Sequence, residues 1–201
     1  MCAQFLIKVR LEWLEEKFGI KPSSIEFAER IVPYTKAPVI IKDKSGNMLM
    51  KAMVFSMIPP WAEAPKAKFS THNARLDTIL EKPLWKTPLS EKRCLVPISS
   101  FIEPIYTGDL AGNMVAFTEK THEVVLAAGI YSEWLNKKTG EVVESFSILT
   151  NTPYPFVKAT GHDRSPVFIN EEIIDQWLTP QKEPAEKMKE LLLNNILPCY
   201  S

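Results

Sequence analysis

The stretch VVLAAGIYSEWLNKKTGEVVESFSILT, residues 124–150, sets two apolar runs, Val124 to Trp134 and Val142 to Thr150, on either side of the turn-rich Asn136 to Gly140. Branched and aromatic side chains suit a pleated surface and Asn and Gly interrupt it, so the spacing predicts two strands joined by a turn. The pattern recurs upstream. Val39-Ile40-Ile41 and Asn47 to Met57 flank Lys44-Ser45-Gly46, a hairpin signature, and further strands fit Arg93 to Val96, Phe101 to Tyr106 and Met114 to Thr118. Helices belong to the two ends of the chain. Leu11, Leu14 and Phe18 lie at helical spacing within residues 9–18, with Gly19 as the stop. Asn170 opens an Asn-capped helix through Trp177, and Thr179-Pro180 opens a second through Leu193. The fold class is therefore α+β, a curved, barrel-like antiparallel core flanked by helices. No internal repeat or low-complexity linker divides the chain, so a single domain is expected over residues 1–201.

Composition narrows the function. A chain of 201 residues buries a sizeable core without a disulfide staple. Its 24 Lys and Arg balance 24 Asp and Glu, which argues against coating nucleic acid through bulk charge. Residues 66–93 nevertheless carry seven basic side chains against three acids, a basic patch or a solvated mixed surface. Cys2, Cys94 and Cys199 contain no C-x-x-C pair, so neither a disulfide framework nor a zinc knuckle is suggested. His72 and His122 share no metal-binding spacing with His162, and no metal or cofactor is expected. Nucleophile-elbow, P-loop and dinucleotide fingerprints are all missing, which removes the commonest enzyme classes. No apolar run approaches the ~18 residues of a membrane span and the N-terminus lacks the order of a signal peptide, so an intracellular protein without membrane contact is expected.

Several residues can carry chemistry. Removal of Met1 ahead of a small residue would leave Cys2 with a free α-amine and a thiol on adjacent carbons, with unperturbed pKa values of ~8 and ~8.5. Such a 1,2-aminothiol condenses with an aldehyde to an imine, onto which the thiolate closes to give a thiazolidine. The plain alternative is a small residue that follows the initiator. In Ser70-Thr71-His72-Asn73-Ala74-Arg75, Asn73 can orient a reacting group and Arg75 can grip a phosphate, while the same letters also fit an Asx-type turn opening a helix. Glu103 stands among apolar residues on an expected strand; enclosed, it suits general acid–base work, and facing outward it is ordinary surface. His162-Asp163-Arg164 offers a proton carrier and a second phosphate ligand. Trp61, after Pro59-Pro60, stacks on a base or fills the core.

The order of these pieces resembles the SOS response-associated peptidase family, which senses abasic sites in single-stranded DNA. Met1-Cys2-Ala3-Gln4-Phe5 is similar to the family's M-C-G-R-F, and Asn73-Ala74-Arg75-Leu76-Asp77-Thr78 to its N-A-R-x-E-T. Lys82-Pro83-Leu84-Trp85, Arg93 to Pro97 leading to Phe101-Ile102-Glu103, Ala127 to Tyr131, and Phe146 to Thr150 running to His162-Asp163-Arg164 follow in the family's order, over about residues 2–180. The resemblance implies an α+β fold with a barrel-like core and a positively charged groove. It also implies roles: Cys2 captures the sugar aldehyde as a thiazolidine, Asn73 holds the N-terminus or sugar, Glu103 shuttles protons and His162 assists beside the sugar. Arg75 and Arg164 clamp phosphates, with Trp61 and Pro33 as stacking or wedging groups. No cofactor or metal is implied, the partner is single-stranded DNA with abasic sites, and the chain acts as a monomer that removes its own Met1. Ala3 and Gln4 depart from the family's Gly and Arg, Asp77 from its Glu, Pro104 from a common aromatic residue and Ser165 from a bulkier one, and the C-terminal end is shortened.

Two other readings stay open. An autoprocessing thiol peptidase would use Cys2 on a peptide bond with DNA incidental, and a non-catalytic module would bind single strands with Cys2 blocked.

Overall fold

The computed structural model describes residues 3–8, 10–20, 25–119 and 123–197. In chain order its elements are β1 (Gln4–Leu6), α1 (Leu11–Phe18), β2 (Arg30–Ile31), β3 (Lys36–Lys42), β4 (Met48–Phe55), β5 (Asn73–Arg75), α2 (Pro83–Glu91), β6 (Arg93–Ile98), β7 (Ser100–Pro104), β8 (Met114–Thr118), β9 (Val125–Leu135), β10 (Val142–Asn151), α3 (Pro155–Ala159), β11 (Ser165–Pro166), α4 (Ile174–Trp177) and α5 (Ala185–Leu193). The two strands read from residues 124–150 are β9 and β10, paired antiparallel from Val142–Leu135 to Ile148–Gly129. The hairpin read from Lys44-Ser45-Gly46 joins β3 to β4, and Gly46 takes the left-handed φ of 87° that its turn requires.

β10 organises the larger sheet, whose path runs β11-β10-β4-β3-β6-β9 and closes because β9 also pairs with β10. The expected barrel-like core is thus a ring of strands. It is not a regular barrel, because the β10–β4 seam is parallel and only Ser145–Val54 and Phe146–Phe55 face each other there. A second sheet, β2-β1-β7-β8, branches off where Ser99 alone separates β6 from β7. Both faces of the ring are covered, so β3 is apolar on both: Val39 and Ile41 join one core, and Ile40 joins the other. The first core is aromatic, with Phe5 edge-on to Phe55 at 5.2 Å and Phe101 against Phe117 at 4.9 Å. The second lies under the helices, where Leu84, Trp85 and Leu89 of α2 share a cluster with Met188 and Leu192 of α5.

α1 ends at Gly19, in the left-handed region, and Asn170 accepts the Glu172 N–H at 3.2 Å to open a 3-10 turn that leads into α4, both as read. The other expected helix start is corrected. Thr179-Pro180 lies in a loop and α5 begins at Ala185, because the buried Arg93 guanidinium draws the intervening carbonyls to itself. It donates to Trp177, Leu89, Ser90, Thr179 and Gln181 oxygens at 2.5–3.0 Å, tying the C-terminal ends of α2 and α4 to the loop. α2 was not expected from the sequence, since Pro88 inside it breaks the helical pattern that Pro83 opens. No helix among the described residues is long and apolar enough to cross a membrane.

Candidate functional site

β5 builds one wall of the site. It pairs parallel with β10, Asn73 opposite Ile148 and Arg75 opposite Thr150, and the Leu76 N–H extends the ladder to Thr150. The Asx turn opening a helix, considered for this run, is therefore corrected to a strand. Its cause is tertiary: the alternation sends Ala74 and Leu76 into the core and leaves Asn73, Arg75 and Asp77 on the other face. Both polar atoms of the Asn73 amide are buried with no hydrogen-bond partner among the described residues, as are the Thr71 and Thr150 hydroxyls. Buried amides rarely go unpaired, so this is where a ligand or a neighbouring polar group fits.

Arg75 and Arg164 meet on one carboxylate. Arg75 donates through Nε to Asp77 Oδ1 at 3.2 Å and through Nη2 to Oδ2 at 2.8 Å, and Arg164 Nη2 reaches the same Oδ2 at 3.2 Å. Arg164 is 9% exposed and also pairs with Asp163 at 3.6 Å, whereas half of the Arg75 side chain faces solvent.

Glu103 on β7 is 2% exposed and His162, in the turn after α3, 6%. His162 Nδ1 stands 3.9 Å from Glu103 Oε2, and its Nε2 lies 2.5 Å from the Pro104 carbonyl. A carbonyl oxygen only accepts, so Nε2 carries a proton and Nδ1 is the atom that gains or loses one beside the carboxylate. The loop after β7 roofs the histidine. The Tyr106 ring lies tilted by 49° against the imidazole with centroids 4.9 Å apart, its N–H bonds the Thr160 carbonyl at 2.9 Å, and Thr107 bonds Ala159 at 3.0 Å. Gly161 permits this approach: its φ is 92° and a Cβ there would meet Tyr106 Cβ at 2.9 Å.

His72 joins the two parts. It precedes Asn73 and packs edge-on to Phe55 at 5.9 Å. Burial holds its pKa below the ordinary value, with the charge of Glu103 pulling partly the other way.

Beside Asn73 a cleft of about 370 Å³ is lined by Trp61, Phe69, Arg75, Lys82 and Trp85. Trp61 is 63% exposed and Phe69 55%, so the core-filling option for Trp61 is excluded. Neither Glu103 nor His162 lines this cleft; both are buried. Pro33 precedes Tyr34, which adopts a left-handed φ of 71° and carries Lys66 Nζ at 4.9 Å from its ring centroid. Lys66 belongs to the same loop as Trp61 and Phe69, so Pro33 sits at the margin of this aromatic and basic surface.

Cys2 lies outside the described residues. β1 does show where the chain approaches: Gln4 pairs with Ile102 in an antiparallel register, so the chain ahead of Gln4 leaves the sheet at the Glu103 end of β7. Gln4 accepts a hydrogen bond from Arg30 Nε at 3.1 Å. Sequence reading named Asn73, Glu103 and His162 but missed His72, Tyr106 and Phe69. The signal available for Tyr106 was the aromatic residue two positions after Pro104, and for Phe69 its place between Lys68 and the Ser70–Arg75 run.

A family model described as SOS response associated peptidase (SRAP) matches residues 1–198. The chain is 31% identical over 197 residues to the abasic site processing protein YoqW of Bacillus subtilis (strain 168), covering 96% of this chain and 86% of that one. It is 29% identical, with the same coverage, to the abasic site processing protein YoaM of the same organism. A crystal structure of a protein from Bacteroides thetaiotaomicron superposes with a TM-score of 0.79 at 25% identity, covering 95% of this chain and 86% of that one.

Proposed function

The chain belongs to the SOS response-associated peptidase family, and from that premise we propose that it recognises abasic sites in single-stranded DNA and captures them covalently through Cys2. Relatives named as abasic site processing proteins support the target. The observation that carries the chemistry is the enclosed Glu103–His162 pair at the end of β7, where β1 begins with Gln4 opposite Ile102.

Capture begins when hydrolysis of the Met1–Cys2 bond frees the Cys2 amine. One peptide bond links Cys2 to Ala3, which precedes Gln4, and Gln4 pairs with Ile102 next to Glu103 on β7. The amine adds to C1′ of the ring-opened deoxyribose, and the resulting carbinolamine loses its hydroxyl as water once a proton is delivered to it. The thiolate then adds to the imine carbon, its electron pair forming the C–S bond while nitrogen takes up a proton. The product is a thiazolidine, and the sum is protein plus aldehyde less one water. Glu103 supplies and recovers these protons in a water-poor site, His162 holds the sugar and exchanges a proton through Nδ1, and the Asn73 amide, which has no partner among the described residues, holds the N-terminus or the sugar. Reversal follows the same path backward.

Arg75 and Arg164 take backbone phosphates, and Trp61 and Pro33 stack or wedge against neighbouring bases. These contacts are blind to sequence, which suits a lesion with no base to read. We take the chain to work as a monomer and, since the sheet carrying Glu103 and the ring carrying Asn73 share a core, as one unit. Intact mass of the purified protein, before and after incubation with an abasic oligonucleotide, tests the reading. Loss of a methionine residue and gain of one oligonucleotide less water support it. A retained Met1 with reversible binding alone favours the non-catalytic module, and a lost Met1 without adduct favours the peptidase.

A further inference from the structure

We propose that Asp77 is the positioning residue of the phosphate clamp: its one carboxylate holds Arg75 and Arg164 side by side and aims their remaining N–H groups at a common phosphate. The inference rests on the reading that this face binds single-stranded DNA. Asp77 receives the Arg75 guanidinium as a parallel fork, Nε on Oδ1 and Nη2 on Oδ2, and shares Oδ2 with Arg164 Nη2. The carboxylate is itself fixed, since the Thr78 N–H donates to Oδ1 at 2.9 Å.

An isolated surface ion pair orders little, because solvent and salt screen it and long side chains resist being held. Here backbone position removes much of that freedom. Arg75 ends β5, Asp77 stands two residues on in the turn that follows with its carboxylate held by the Thr78 N–H, and Arg164 is 90% enclosed beside them. A guanidinium has five N–H donors, and Arg75 spends two on Asp77, so three stay available in a plane the carboxylate defines. The fork geometry suits a phosphate as well as a carboxylate, which makes this arrangement a preformed anion seat.

Charge and position make opposite demands on Asp77, and this separates them. If only net charge mattered, Asp77→Asn would add a positive charge to the face and tighten DNA binding. If Asp77 positions the arginines, the same change frees Arg75 and weakens it.

The test measures binding of an undamaged single-stranded oligonucleotide across a salt series for wild type, Asp77→Asn and Asp77→Glu. It is paired with Arg75 Nε–H hydrogen exchange and order by NMR without DNA. The expected result is a loss of roughly 3- to 10-fold for Asp77→Asn, a salt slope lower by about 0.7 per lost phosphate contact, and recovery of most of both in Asp77→Glu. Arg75 Nε–H should be ordered in wild type and Asp77→Glu and mobile in Asp77→Asn. Tighter binding with a steeper slope in Asp77→Asn would overturn the proposal and make Asp77 a competitor of phosphate. Equal binding and equal Arg75 order would also overturn it. Wild-type protein that shows no salt-dependent binding would instead defeat the DNA reading itself. The DNA-free Arg75 measurement still reports whether the carboxylate holds the arginine.

Discussion

His162 and Glu103, far apart in the chain, face each other at 3.9 Å from Nδ1 to Oε2, and His162 is anchored on its far side by Nε2 on the Pro104 carbonyl. Pro104 follows Glu103 directly, so one strand end both supplies the carboxyl and aims the imidazole at it. Both side chains are almost wholly enclosed, which strengthens any charge interaction between them and excludes competing water. A proton gained by Nδ1 enters 3.9 Å from the Glu103 carboxylate.

Glu103→Gln keeps the shape and loses the exchangeable proton. Capture of abasic DNA should slow by roughly 10²-fold, and reversal by at least as much, because the same carboxyl moves the protons in both directions. His162→Ala should show a smaller effect. The measurement is crosslink appearance over time, then exchange of the preformed crosslink onto excess fresh oligonucleotide. Unchanged rates in both directions would make the carboxyl structural.

Arg75→Ala and Arg164→Ala should weaken binding to single strands of any sequence and lower the salt slope by about 0.7 for each contact removed. Arg164→Ala should also cost some stability, because the nearly enclosed Arg164 side chain loses its packing and its pairs with Asp77 and Asp163. Affinity and slope equal to wild type in both variants would remove the proposed clamp.

Burial lowers the pKa of His72 from its ordinary 6.5. As pH falls through 6.5 the unfolded chain takes up the proton first, so the stability His72 allows is full above that pH and is lost below it. His72→Gln should flatten this loss. Urea unfolding of both proteins at about pH 7.5 and about pH 5.5 reads it: wild type should lose more stability than the variant between the two. Equal losses would show that the imidazole protonates as freely folded as unfolded.

Gly129 on β9 lies against the buried Cys94 of β6, and an added Cβ would stand 2.8 Å from Cys94 Sγ and 3.2 Å from the Ser147 carbonyl. Gly129→Ala should destabilise by about 1–3 kcal/mol, since neither neighbour has room to retreat. With Cys94→Ala the clash with sulfur disappears, so the double variant should be more stable than the sum of the two single losses predicts. Denaturant melts of the four proteins measure the coupling, and simple additivity would contradict the close approach.

Much of the strand order was legible because each long strand carries its own pattern. β3 and β4 declare themselves through a Gly46 turn, and β9 and β10 through apolar runs broken at Asn136 to Gly140. What stayed hidden depends on partners far along the chain. β5 is three residues long and exists as a strand because β10 offers it an edge. The start of α5 moved because Arg93, distant in sequence, captures the carbonyls of Thr179 and Gln181. At the site, residue types and order pointed to Asn73, Glu103 and His162, while their burial and the sharing of Asp77 by two arginines follow from packing alone. Trp61 shows the limit of propensity: an aromatic side chain suits a core, yet here it stands in solvent over the cleft.

The central claim is covalent capture by the Cys2 aminothiol, and the most direct measurement is intact mass after denaturation without reductant, for wild type and Cys2→Ala incubated with the same abasic oligonucleotide. Wild type should appear as protein lacking Met1 joined to one oligonucleotide less one water, and Cys2→Ala should show no adduct, because an imine without the thiol hydrolyses. An adduct of equal yield and durability in Cys2→Ala, or none in wild type lacking Met1, would contradict the account.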